Sequence, residues 1–144
     1  MLVTAWTDAS FKDGVTGAVS MIIADDIYLG SRVARYRTLT PYDAEMIGII
    51  QVLEFIQKES IAFSKLLIYT DSMAIAGKYA EINETGKNID EVFLPPKSVK
   101  KWKRIMDLTR GRNVHIEYTA GHQEKNNPNK LCDVAARIIV EEGS

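Results

Sequence analysis

The chain has 144 residues, a net charge of −1 and an apolar fraction of 46%, which suits one sizeable core and a single domain spanning 1–144. No apolar run reaches bilayer length and Met1 leads straight into a strand-like segment, so the expectation is a soluble, cytoplasmic protein with no membrane partner. Cys132 is the only cysteine, which excludes an internal disulfide and a cysteine-rich zinc site, while the near-neutral charge leaves any nucleic-acid binding to local clusters.

In chain order, Leu2 to Thr7 predicts a first strand ending in an aspartate, within T-D-A-S at Thr7 to Ser10. Asp13-Gly14 is a turn signal. Gly17 to Ala24 and Ile27 to Tyr36 predict two more strands, separated by a tight turn at Asp25-Asp26, so the three form an antiparallel meander. Thr40-Pro41-Tyr42-Asp43 reads as a helix start, with Thr40 as N-cap, Pro41 as first helical residue and Asp43 as the acidic partner of a capping box. Met46, Ile49, Ile50, Leu53 and Ile56 then recur at helical spacing to about Lys58, and Glu45 lies in the first turn.

Lys65 to Ser72 reads K-L-L-I-Y-T-D-S. Its apolar run is too short for a buried helix and predicts a strand covered on both faces, with Asp71 at its end. A helix from about Ser72 to Tyr79 follows, then an acidic, poorly defined segment from Ala80 to Pro96. Pro96-Lys97-Ser98 opens another helix to about Thr109, with Gly111 just beyond. Val114 to Tyr118 alternates as a fifth strand, carrying His115 to its surface without a role. Ala120 to Asn129 reads as a polar loop, and Lys130 to Glu142 as a last helix with Leu131, Val134, Ala135 and Ile138 on one face. The order predicts an α/β fold. Three antiparallel strands and then two parallel ones form a mixed five-stranded sheet with helices on both faces.

Two of these strands end alike, L-V-T-A-W-T-D at Asp8 and L-L-I-Y-T-D at Asp71. If parallel and adjacent, they bring two carboxylates together, and each raises the other's pKa unless a cation neutralises them. An oxygen-only donor set favours magnesium or manganese over zinc.

Taken together, these features resemble the type 1 ribonuclease H family over almost the whole chain. The T-D-A-S at Thr7 to Ser10, the Ala44-Glu45 pair, the T-D-S at Thr70 to Ser72 and the Gly121-His122 loop match its motifs in order. So do Asn129, Asp133, Ala136 and Arg137 in N-x-x-x-D-x-x-A-R. The resemblance implies a ribonuclease H-like fold and a metal-dependent endonuclease that hydrolyses the RNA strand of RNA/DNA hybrids, leaving 5′-phosphate and 3′-hydroxyl ends. It implies that Asp8, Glu45, Asp71 and Asp133 hold two magnesium ions, for which manganese can substitute, about 4 Å apart. Asp8 would bridge the ions, and His122 would assist proton transfer or product release. Ser10, Ser72 and Asn129 would touch the substrate, and the chain would act as a monomer. Cys132 is expected to be a small buried residue.

Substrate grip departs from the pattern. Family members known from bacteria carry a basic, tryptophan-rich protrusion where Ala80 to Pro96 here holds Glu81, Glu84, Asp90 and Glu91. The helix after it is basic instead, with Lys97, Lys100, Lys101 and Arg104 around Trp102, and these are the candidate substrate contacts. Pro41, Tyr42 and Asp43 stand where an asparagine often precedes the helix glutamate, and Met73 replaces a frequent glutamine. The alternative is a weakly active or non-catalytic hybrid-binding domain related to the nuclease domain of a reverse transcriptase.

Overall fold

Alternating side chains on the strands and helical periodicity between them build a sheet with its helices packed against it. The computed structural model describes residues 1–119 apart from 26, 38, 39, 87, 88, 90, 91 and 93. The first strand, β1 (Leu2–Lys12), turns at Asp13 and Gly14 into β2 (Val15–Ala24). Both turn residues have positive φ, 52° and 77°, which is the backbone that a two-residue hairpin between right-twisted strands requires. Pairing runs without interruption from Val3–Ala24 to Lys12–Val15. β3 (Ile27–Arg37) completes the meander, with one irregularity in register between Ile22 and Ile23.

Helix α1 (Pro41–Lys58) starts at the expected N-cap, with the Thr40 hydroxyl accepting the Asp43 amide at 3.2 Å and Pro41 at the first position, but the Asp43 carboxylate pairs with Lys101 at 3.5 Å and does not complete the expected capping box. β4 (Lys65–Thr70) lies parallel to β1, paired from Leu2–Lys65 to Trp6–Tyr69. Leu66, Ile68 and Thr70 of β4 are buried, whereas Leu67 and Tyr69 on the other face are half-buried. α2 (Met73–Thr85) leads through a 3-10 turn at Pro96–Ser98 into α3 (Val99–Thr109) and then β5 (Val114–Tyr118), parallel to β4. Strand order is β3-β2-β1-β4-β5, the mixed sheet expected.

One core takes Val3, Ala5, Ile22, Leu66, Ile68, Val114 and Ile116 from the sheet. Met46, Ile49, Val52 and Ile56 of α1, Ile75, Tyr79 and Ile82 of α2, and Trp102, Ile105 and Leu108 of α3 complete it. Each of the larger aliphatic side chains among them contributes about 1.5–3 kcal/mol by leaving water. The Tyr79 hydroxyl also donates to the Val114 carbonyl at 3.0 Å, tying α2 to β5. The helix expected over Lys130 to Glu142 and the loop Ala120 to Asn129 before it lie outside the described residues.

The boundaries that differ most from expectation are those of β1, α2 and α3. β1 does not stop at Thr7 but runs to Lys12, because the hairpin with β2 supplies ladder partners to Ala9, Ser10, Phe11 and Lys12. α2 continues to Thr85, six residues past Tyr79, where Ile82 still reaches the core and Gly86 caps the end at φ 62°. The residues Pro96 to Ser98 form a 3-10 turn, and the α-helix proper begins at Val99. No described helix is long and apolar enough to cross a membrane.

Candidate metal centre

The centre forms where β1 and β4 part. Their ladder ends at Trp6–Tyr69, whose rings stack with centroids 5.8 Å apart and planes inclined by 28°. Asp8 lies two residues beyond Trp6 and Asp71 two beyond Tyr69, so the parallel register delivers both carboxylates to the same end of neighbouring strands. Asp8 remains held on its other side by β2, opposite Val19. The chain after Asp71 turns at once into α2, with the Ser72 hydroxyl accepting the Ile75 amide at 3.3 Å as N-cap.

The third carboxylate comes from α1. Gly48 faces Thr7 of β1 so closely that a Cβ there would sit 3.4 Å from the Thr7 Cβ. Glu45 is three residues earlier on the same helix surface, and the close approach at Gly48 carries it to the parting strands. One oxygen from each of Asp8, Glu45 and Asp71 falls within 4.8 Å of the other two.

Three carboxylates this close shape the electrostatics. Asp8 is 1% exposed and its Oδ1 accepts the Ala9 amide at 2.8 Å. Burial first, then the charges of Asp71 and Asp8 and a hydrogen bond with Asp71, push the Glu45 carboxyl up to about 10; the Ala9 backbone opposes them. The metal-free centre therefore holds a proton at neutral pH that a divalent cation would replace. The buried Oε2 of Glu45 has no hydrogen-bond partner among the described residues, and every donor is a carboxylate oxygen. This set fits a hard divalent cation.

The remaining expected site residues are distributed unevenly. Ser10 lies on β1 opposite Gly17, two residues past Asp8. Ser72 caps α2 beside Asp71, and its amide donates to the Thr70 hydroxyl at 3.2 Å. Asp133, His122 and Asn129 lie outside the described residues, as does Cys132. Lys97 and Lys100 are exposed. Arg104 meets Glu54 at 3.4 Å in an ion pair that is half exposed on both sides. Trp102 corrects the expectation of a substrate contact: it is completely buried, because the amphipathic pattern of α3 turns it inward with Ile105 and Leu108. Its indole donates to the Tyr42 hydroxyl at 3.0 Å, and the neighbouring Lys101 ammonium stands 3.5 Å from Asp43. Tyr42 and Asp43 were missed from sequence as partners of α3, since nothing in the spacing of two segments 60 residues apart signals that they meet. His115 has its Nε2 2.8 Å from Asn113 Oδ1, well away from the carboxylates in register. A cavity of about 520 Å³ between the C-terminal ends of α2 and α3 is lined by Ile82, Asn83, Met106 and Arg110 among others, with no carboxylate among the described lining residues. Among the described residues, the carboxylate cluster suited to a metal ion is the one at the strand ends.

A sequence profile of the RNase H family matches residues 2–141. Among solved structures, LC11-RNase H1 in complex with an RNA/DNA hybrid is similar with a TM-score of 0.73 at 16% identity, covering 98% of both chains. RNase H1 from the halophilic archaeon Halobacterium salinarum gives 0.72 at 16%, covering 99% of both. A foamy viral protease-reverse transcriptase in complex with an RNA/DNA hybrid gives 0.73 at 18%, over 95% of this chain and 19% of that one. Among curated proteins there is no match.

Proposed function

The chain belongs to the RNase H family of enzymes, and from that premise we propose that it is a metal-dependent endonuclease hydrolysing the RNA strand of RNA/DNA hybrids. The observation that carries this reading is the convergence of Asp8, Glu45 and Asp71, from three different elements, within 4.8 Å. Asp8, held from one side by β2, would hold two magnesium or manganese ions together with Glu45 and Asp71. Asp133 is proposed as the fourth carboxylate. When bound, such ions supply a lowered pKa for an attacking water and charge neutralisation at the leaving 3′ oxygen.

The chain's own contribution is placement. The β1–β4 register fixes two carboxylates and the α1 approach a third, so little reorganisation is left for the moment of reaction. Water adds to the phosphorus, the bond to the 3′ oxygen breaks, and that oxygen takes a proton. The products carry 5′-phosphate and 3′-hydroxyl ends. His122 is proposed to handle a proton there, a task suited to an imidazole near neutrality. Exposed Lys97 and Lys100 are proposed to meet phosphates in place of the missing protrusion. Support for the hybrid as substrate comes from family membership and from the fold shared with two proteins solved on such hybrids.

The test is direct. Labelled hybrid is incubated with the protein and magnesium or manganese, beside Asp8→Asn. Wild type should cut the RNA strand to products with 5′-phosphates and the variant should not. An intact hybrid under both metals overturns the activity. Equal cutting by Asp8→Asn overturns the metal assignment.

A further inference from the structure

Glu45 stands in the first turn of α1. A first turn is where a helix frays, since its amides have no carbonyl partners within the helix. A carboxylate that must meet two others needs that turn held to about half an ångström. The Thr40 hydroxyl supplies one restraint.

Consecutive residues of α3 supply two more. Trp102, completely buried, donates from Nε1 to the Tyr42 hydroxyl at 3.0 Å. Lys101 places its ammonium 3.5 Å from Asp43 Oδ1, where the Asp43 side chain is only 10% exposed and that of Lys101 31%. Tyr42 and Asp43 directly precede Ala44 and Glu45, and Tyr42 lies one turn from Glu45 on the helix surface.

We infer that Lys101 and Trp102 are positioning residues of the metal centre, clamping the first turn of α1 and thereby setting where Glu45 meets Asp8 and Asp71. This inference rests on the metal-dependent reading above. It separates Lys101 from Lys97 and Lys100, which project into solvent. Breaking the Lys101 pair leaves the mostly buried Asp43 carboxylate without its counter-charge, and the turn must shift to rehydrate it. Removing the Tyr42 acceptor leaves the indole N–H in the core without its partner, and relief again comes from movement of the turn. Either disturbance reaches Glu45 through the helix backbone, without involving the substrate.

The experiment measures Mn²⁺ binding to the full chain by the paramagnetic signal of the free ion, together with kcat and KM on hybrid. The variants are Tyr42→Phe, Trp102→Phe, Lys101→Met, Asp43→Asn and the double variant Asp43→Asn/Lys101→Met. Each single variant should bind Mn²⁺ about 10-fold more weakly and lose kcat with little change in KM. The double variant should lose no more than the worse of its two parents, because both act through one contact. Lys100→Met serves as contrast, raising KM while Mn²⁺ binding stays as in wild type. If Lys101→Met instead raises KM with Mn²⁺ affinity unchanged, or its loss and that of Asp43→Asn simply add, the clamp is wrong. Should Trp102→Phe fold poorly, Tyr42→Phe removes the same hydrogen bond and leaves the indole in the core. Failure of the underlying reading looks different: wild type binds no Mn²⁺, or Asp8→Asn binds it equally well. Either result removes the centre and the clamp with it.

Discussion

Replacing Glu45 by Gln should make the metal-free protein more stable at alkaline pH and change how its stability depends on pH. In the folded, metal-free chain the Glu45 carboxyl is pushed from 4.5 up to about 10, chiefly by burial and by the neighbouring carboxylates. Between those values the native state keeps a proton that the unfolded chain has released. Stability then falls as pH rises: the contribution is complete below about 4.5 and is lost progressively towards 10. The slope is at most about 1.4 kcal/mol per pH unit, so from pH 5.5 to 8 the ceiling is about 3.4 kcal/mol. Glu45 is half-buried at the parting of two strands, and water reaching it should reduce the loss to about 2 kcal/mol. That is a large part of a typical domain's 5–15 kcal/mol, on the order that urea unfolding resolves. The assay is urea unfolding in chelator at pH 5.5 and 8 for wild type and Glu45→Gln. The difference between the two proteins reports on this carboxyl together with its coupling to Asp8 and Asp71. Wild type should weaken relative to Glu45→Gln as pH rises, and adding Mg²⁺ at pH 8 should restore wild type only. Parallel pH curves for the two proteins would refute the account of a shared proton in a crowded carboxylate site.

Two other outcomes follow from the same geometry. Neutralising Lys97 and Lys100 together should weaken hybrid binding and lower the slope of log affinity against log salt by about 1 for each lost phosphate contact; an unchanged slope removes them from the substrate path. Gly48→Ala places a methyl in ordinary contact with Thr7 and improves helix propensity, so unfolding in urea should show up to about 1 kcal/mol of gain. Gly48→Leu should instead cost about 1–3 kcal/mol and reduce hydrolysis by pushing α1 off β1.

Much of this architecture was legible in the sequence because local chemistry and burial agree along the chain. Thr40 and Pro41 mark the start of α1, and the paired endings at Asp8 and Asp71 foretell a parallel neighbour relation that the register confirms. Misreadings arose where partners far away in sequence decide. The short side chains of Ala9 and Ser10 after Asp8 read as the end of a strand until β2 is there to pair with them. Glu81 to Thr85 reads as loop because only Ile82 is apolar, yet one buried side chain per turn is enough once β5 and α3 provide the wall. Trp102 among lysines looks like a base-stacking residue in one dimension. In three dimensions the same spacing buries the indole and leaves the cations outside. The grip of α3 on Tyr42 and Asp43 has no signature in either segment alone.

The stacked rings of Trp6 and Tyr69 make the molecule self-reporting. Each ring precedes a carboxylate by two residues, and the pair spans the seam at which the two strands diverge. Indole emission from Trp6 is therefore a spectroscopic gauge of the distance between the strands that carry Asp8 and Asp71. The chain has only one other tryptophan, Trp102, which is completely buried in the core, whereas Trp6 at the seam is half-buried. Cation occupancy and strand spacing can then be followed by fluorescence in an unlabelled protein, with no nucleic acid in the cuvette.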